Sequence, residues 1–198
     1  MGLELDYIFG QTPLDEDEKD ALLIDSIVTR GELDEFEQLN IEEAVAWSLG
    51  QNFKIEELFT EYFMKHVHKK MFGNVWEWAG KFRKTDKNIG VDKNQITIEL
   101  KKLIDDTRHW IEHDTYEPDE ITIRFKHRLV SIHCFPNGNG RHSRLLADMI
   151  VEKIFGREVF SWGAHDLAPA GSTRKKYIDA LRAADKGDYT LLIAFSRS

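Results

Sequence analysis

The sequence predicts an all-α fold with one small β-hairpin. Apolar residues recur at helical spacing along most of the chain, helix-start and helix-stop residues fall where those stripes begin and end, and only residues 91–98 read as strand. Taken in order, Ile55, Leu58, Phe59, Tyr62, Phe63, Val67 and Met71 form an i, i+3, i+4 stripe that predicts one amphipathic helix within a helical region starting near Ile41. Gly73, Gly80 and Gly90 then punctuate the chain, and Val91-Asp92-Lys93-Asn94-Gln95-Ile96-Thr97-Ile98 reads as a turn and short strand, half of a hairpin over residues 84–96. Leu100, Leu103, Ile104, Thr107 and Ile111 resume helical period. Pro118 suits the first turn of a helix through Phe125, Leu129 and Ile132. Leu145, Leu146, Met149, Ile150 and Ile154 mark another helix closed by Gly156, and Ser172 is placed to cap a last one carrying Tyr177, Ile178 and Leu181.

Composition sets the class. At 198 residues, 41% hydrophobic and 31% charged, the chain suits a single globular domain with an N-terminal extension, divided as 1–44 and 45–198. The acidic run Asp15-Glu16-Asp17-Glu18 and the segment Gly31-Glu32-Leu33-Asp34-Glu35-Phe36-Glu37 read as a partly ordered, solvated extension. A net charge of −8 argues against nucleic acid as the main partner, since phosphate binding needs a basic surface. No apolar run approaches the roughly 20 residues of a membrane span. Residues 1–6 show no leader, and Asp6 stands where an N-myristoylation motif wants Ser or Thr, so a cytoplasmic location is expected. Cys134, the only cysteine, excludes an intrachain disulfide.

The chemistry concentrates in His133-Cys134-Phe135-Pro136-Asn137-Gly138-Asn139-Gly140-Arg141-His142-Ser143-Arg144, between two predicted helices. Gly138 and Gly140 let the backbone turn its N–H groups toward one point, where the following helix adds its positive end. Arg141 and Arg144, three apart, supply cationic forks suited to a polyphosphate. His133 is the side chain suited to take a proton from an attacking hydroxyl near neutral pH. Each feature alone is common; their conjunction points to a nucleotide triphosphate beside a general base.

That loop resembles the signature of the Fic family, H-x-F-x-(D/E)-G-N-G-R-x-x-R, at His133, Phe135, Gly138, Asn139, Gly140, Arg141 and Arg144. Phe72-Gly73-Asn74-Val75-Trp76-Glu77-Trp78-Ala79-Gly80-Lys81-Phe82-Arg83 is similar to the family's segment before its hairpin, and Tyr177-Ile178-Asp179-Ala180-Leu181 to its C-terminal helix, so the resemblance covers roughly residues 45–195. It implies a helical fold and an adenylyltransferase that moves AMP from ATP to a Tyr, Ser or Thr hydroxyl of a target protein, with pyrophosphate leaving. His133 would be the base, Gly138, Asn139 and Gly140 would hold the α- and β-phosphates, Arg141 and Arg144 the outer ones, and Phe135 would pack inward. A flap would pair with the target by strand addition, for which Lys84, Thr85, Ile89, Gly90 and Val91 are the candidates. Position 137 departs from the pattern. Asn137 stands where most active members carry an Asp or Glu for Mg²⁺, and an amide oxygen brings no charge, so metal binding there is expected to be weak. A catalytically silent domain that binds nucleotide or a partner, and an enzyme using another phosphate-containing donor, are the alternatives.

Many members are held off by a helix of pattern (S/T)-x-x-x-E-(G/N) whose Glu pairs with the second signature arginine, here Arg144. The nearest match, Ser26-Ile27-Val28-Thr29-Arg30-Gly31, has Arg30 in place of that Glu. No self-inhibition of that kind is expected, and an antitoxin-like inhibitor acting in trans is the corresponding hypothesis. His109-Trp110-Ile111-Glu112-His113 spells a zinc motif of chance frequency with no evident third ligand, and Cys134 reads as small buried filler rather than a nucleophile.

Overall fold

The computed structural model describes residues 13–164 and 170–198. Residues 1–6, on which the absence of a leader and of a myristoylation signal was read, lie outside them. The described residues are predominantly helical: α1 (Glu16–Lys19), α2 (Arg30–Leu49), α3 (Ile55–Leu58), α4 (Glu61–Phe72), α5 (Ile96–Glu112), α6 (Pro118–Ile132), α7 (Asn139–Lys153), α8 (Ala170–Ala184) and α9 (Thr190–Arg197). The main core gathers Phe63, Val67 and Phe72 of α4, Leu100 and Leu103 of α5, Phe125 and Leu129 of α6, and Leu146 and Met149 of α7, all nearly inaccessible. Burying each large apolar side chain is worth about 1.5–3 kcal/mol. A smaller cluster joins Ile123, Ala147 and Val151, on the far side of α6 and α7, to Ala180 and Ala184 of α8 and Leu192 of α9.

Several expectations change. The stripe from Ile55 to Met71 is broken into α3 and α4. Thr60 interrupts it by accepting the Phe63 N–H on its hydroxyl (3.0 Å), an N-cap that restarts the helix. Tyr62 is 75% exposed, so it does not belong to the buried face. Position 172, expected as the start of the last such helix, falls inside α8, which is helical from Ala170.

Over residues 13–44 the segments read as solvated are folded against the rest of the protein. α2 runs through position 44 and starts at Arg30, where Thr29 and Glu32 form a capping box. Its buried face carries Leu33, Glu37, Asn40, Ala44 and Ser48. Asn40 donates to the Lys70 carbonyl (2.9 Å) and accepts the Asn74 N–H (2.9 Å), tying α2 to α4. Upstream, Leu22 and Trp76 form an isolated antiparallel bridge. The Trp78 indole donates to the Glu18 carbonyl (3.0 Å), and Leu14 and Ile27 are buried.

The β-hairpin is absent: among the described residues, 84–92 form bends, Lys93–Gln95 a 3₁₀ turn, and Ile96 begins α5. Side chains and the end of α6 take the backbone groups that a partner strand would have used. The Asp86 carboxylate accepts the Lys93 N–H (2.9 Å), Asp92 accepts the Asn94 N–H (2.8 Å), and the Val91 N–H donates to the Ile132 carbonyl (3.3 Å). The loop is also fastened from outside. Lys87, nearly buried, pairs with Asp15 (2.8 Å) and Glu18 (2.5 Å), while the Thr85 hydroxyl donates to Asp15 (2.7 Å), so the acidic run of α1 holds the loop down.

Candidate active site

α6 delivers His133 and α7 delivers the glycine loop. His133 is the C-cap of α6, in the left-handed region at φ 57°, ψ 62°, a conformation unusual for a residue with a Cβ. It is 4% exposed, and neither ring nitrogen makes a hydrogen bond among the described residues. Burial, with the nearby Arg83 and Lys87 charges adding to it, pushes the imidazole down to about 4. The 84–92 loop lies directly over it. At Gly90 (φ 105°) a Cβ would stand 2.8 Å from the His133 Cβ, so only glycine lets the loop come this close.

Asn137 and Gly138 lead into α7. The Asn137 side-chain oxygen accepts the Gly138 N–H (2.6 Å), and its carbonyl takes a bond from His68 Nε2 (3.1 Å). Gly138 is the N-cap of α7 at φ 76°, with the Phe72 ring packed where a Cβ would be. The Asn139 side chain does not face a ligand. It is buried, accepts the Phe135 N–H (2.9 Å) and donates to the Phe135 carbonyl (2.8 Å), pinning the turn. The first intrahelical bond of α7 comes from the His142 N–H to the Gly138 carbonyl, and no side chain caps the end. The N–H groups of residues 139–141 are therefore left for a ligand or solvent. Beside Gly140 the space is open, with nothing within 4 Å of where its Cβ would lie.

Phe135 does pack inward, fully buried and stacked on His68 at 3.8 Å between ring centroids. Cys134 is a buried free thiol that burial pushes up to about 12, a filler with no nucleophilic character. Arg141 and Arg144 diverge. Arg141 pairs with Glu37 of α2 (2.6 Å), whose other oxygen accepts the Trp76 indole N–H (2.7 Å). Arg144 lies against the faces of Tyr177 and Trp162, at 4.6 and 5.6 Å. Behind them the fully buried Lys126 donates to the Tyr177 hydroxyl.

These groups meet at one cleft of about 440 Å³, lined by Arg30, Asp34, Ile89, Val130, His133, Asn137, Gly138, Asn139, Gly140, Arg141, Arg144, Tyr177 and Leu181. All the residues expected to bind nucleotide are brought together there, and of the flap candidates only Ile89 lines it; Lys84, Thr85, Gly90 and Val91 do not. Arg30, read as the replacement for an inhibitory Glu, does reach the cleft, where it pairs with Asp34 (2.8 Å). The Glu37–Arg141 pair and the His68 brace were not foreseen. Glu37 sits in an acidic stretch that looks solvated, and nothing in the sequence around His68 sets it apart. The His109 and His113 rings stack at 4.1 Å, and no group of three or more metal-ligating side chains occurs among the described residues. Nor is any described helix long and apolar enough to cross a membrane.

Fold and site together define a helical domain built around a histidine and a glycine turn that opens a helix N-terminus into a cleft. Residues 58–151 match the family model described as the Fic/DOC family. Over this stretch, just under half of its length, the chain is similar to that family. Among curated proteins it is similar to the protein adenylyltransferase Fic of Aedes aegypti, 26% identical over 133 residues (65% of this chain and 25% of that protein). It is similar also to protein adenylyltransferase fic-1 of Caenorhabditis elegans, 28% identical over 130 residues (62% and 23%). The match thus spans about a quarter of the length of these relatives. Among solved structures, the BepC effector of Bartonella tribocorum with bound AMPPNP superposes with a TM-score of 0.68 at 18% identity, covering 91% of this chain and 95% of that one; the likeness is one of fold.

Proposed function

We propose that this protein transfers AMP from ATP to a Tyr, Ser or Thr hydroxyl of a target protein. The observation that carries the reading is the meeting, in one cleft, of an imidazole with unpartnered ring nitrogens, an uncapped helix N-terminus and two arginines. Relatives named protein adenylyltransferase and a fold neighbour with bound AMPPNP support it. The hydroxyl oxygen attacks the α-phosphorus, its proton passes to a ring nitrogen of His133, and the bond from the α-phosphorus to the bridging oxygen breaks as pyrophosphate leaves. The backbone N–H groups of residues 139–141 and the guanidinium groups of Arg141 and Arg144 hold the phosphates and stabilise the charge that develops. An imidazole at about 4 is a weak base in the free protein. A bound triphosphate would offset the Arg83 and Lys87 charges and raise it toward the operating pH.

The residues do not form a protein-held Mg²⁺ site. Asn137 has its side-chain oxygen on the Gly138 N–H, and the cleft-lining Asp34 is paired with Arg30. No step here is assigned to a metal; any Mg²⁺ would enter on the nucleotide.

The test is incubation of the protein and its His133→Ala variant with a cell lysate and ATP labelled on the α-phosphate, in Mg²⁺ and then in Mn²⁺. Label on target proteins should fall by about 100-fold or more in the variant. Nucleotide binding without any label would favour the silent-domain reading, and recovery of label in Asn137→Asp would locate the cause at position 137.

A further inference from the structure

Arg83 is the least expected of the buried charges. Its side chain is wholly inaccessible, and the one carboxylate near it, Asp86, lies 3.5 Å away and is more than half exposed. It is spent instead on backbone carbonyls. Nε donates to the His133 carbonyl (2.7 Å), Nη1 to the Thr85 carbonyl (2.8 Å) and Nη2 to the Val91 carbonyl. The Arg83 N–H donates to the Cys134 carbonyl (3.0 Å), so the residue grips the chain on both sides of the peptide after His133. A C-cap carbonyl in the left-handed region ordinarily faces solvent. Here it is captured by a planar fork whose remaining donors hold both ends of the covering loop. At Gly90 a Cβ would meet His133 and Arg83 Nη2 at 2.8 and 2.9 Å, so base, fork and loop are in mutual contact.

We propose that Arg83 is the positioning residue of this site: a single guanidinium sets the backbone that aims His133 and holds the 85–91 loop over it. Aim and cover are thereby coupled, and displacing the loop frees the two Nη donors of the same fork whose Nε fixes the base. The inference rests on His133 being the base, but its test does not require turnover. The charged groups facing His133 are Arg83 and Lys87 on the loop side and, around the cleft, Arg30 with Asp34, Arg141 and Arg144.

The experiment is an NMR titration of the His133 ring in the full chain, with backbone hydrogen exchange, for wild type, Arg83→Lys and Arg83→Gln. Lysine keeps the charge and loses the fork, whereas glutamine loses the charge. Exchange at the Val91 N–H should quicken at least about 10-fold in both variants while Leu100 and Leu146 stay protected, a local opening and not global unfolding. The His133 titration should move up in both, further in Arg83→Gln, by about a unit or more. In turnover, kcat should fall with KM for ATP unchanged. Unaltered Val91 exchange and His133 titration in both variants would overturn the proposal. Should neither variant fold, Gly90→Ala, which forces the loop off His133 and Arg83, must move the same two readouts, and their constancy would overturn it equally. If the readouts move but no variant, nor the wild type, ever labels a target, the role of Arg83 stands and the transfer reading fails.

Discussion

Lowering the pH from 7 to 5 is expected to cost this protein at least about 3 kcal/mol of folding stability. Four of its eight histidines, His68, His127, His133 and His142, are buried, with His133 pushed down to about 4, His142 to about 3, His68 well below its ordinary value and His127 lowered too, each chiefly by burial. Hydrogen bonding adds a second reason for one of them. His68 accepts the Gly80 N–H on Nδ1 (3.0 Å), leaving Nε2 to donate to the Asn137 carbonyl, so a second proton would have to face an N–H. His142 donates from Nε2 to the Met64 carbonyl (2.9 Å), a bond that favours the charged ring and is outweighed by burial. Because the unfolded chain takes up these protons near pH 6.5 and the folded one does not, their contribution is complete above that pH and is lost as pH falls. His133 and His142 then cost about 2 kcal/mol each by pH 5, and His68 and His127 add to the loss in the same direction. Asp148 opposes the trend. Burial raises its carboxyl to about 6, so its protonation in the folded state returns about 1 kcal/mol over the same range. Against a total stability of about 5–15 kcal/mol the net loss should lower Tm by about 10 °C. Thermal melts at pH 7 and pH 5 read this directly, and equal midpoints would mean that these imidazoles are not buried neutral.

Gly138→Ala should be the most damaging single change in the loop, at about 3–4 kcal/mol. A left-handed backbone costs a side-chain-bearing residue about 1–2 kcal/mol, and φ is 76° here. The new Cβ would also lie 2.6 Å from two atoms of the fully buried Phe72 ring, an overpacking of about 1–3 kcal/mol because Phe72 has nowhere to go. Gly140→Ala is the built-in contrast. Its Cβ meets nothing within 4 Å and its position is helical, so stability should hold or rise by about 0.5–1 kcal/mol. It does line the cleft, so ATP binding should weaken in this variant although the fold is intact. Urea unfolding and nucleotide titration of the pair separate the two roles; equal stability of both variants would contradict the packing seen at Gly138.

Much of this was legible in the sequence where side-chain chemistry is local. α5, α6 and α7 announce themselves through Leu100, Leu103, Leu129 and Leu146 at helical spacing, and Pro118 and Gly156 mark ends. The active loop is a contiguous string, so proximity in sequence is proximity in space. What was missed is non-local. The buried face of α2 carries Glu37 and Asn40, polar residues satisfied by partners 30 to 104 positions away, and a polar stripe reads as solvated until those partners are known. The missing hairpin has the same origin. Residues 91–98 have strand-like composition, but Arg83, Asp86 and Ile132 claim the backbone groups a partner strand would need. That Asn139 would fasten the loop with its side chain, leaving only its N–H for a ligand, could not be told from its place in the motif.

The lone thiol next to the base gives the molecule an internal gauge. Cys134 is shielded and its thiol is held protonated, while its carbonyl is gripped by Arg83, so it shares every constraint that shuts the site. A colourless aromatic disulfide added to the native protein should therefore release almost no dye, and the rate at which colour grows would count how often a molecule exposes the peptide behind His133. With one thiol per chain there is no background to subtract and no label to install. Rapid colour from the unperturbed protein would mean that the chamber around the imidazole breathes far more than its packing implies.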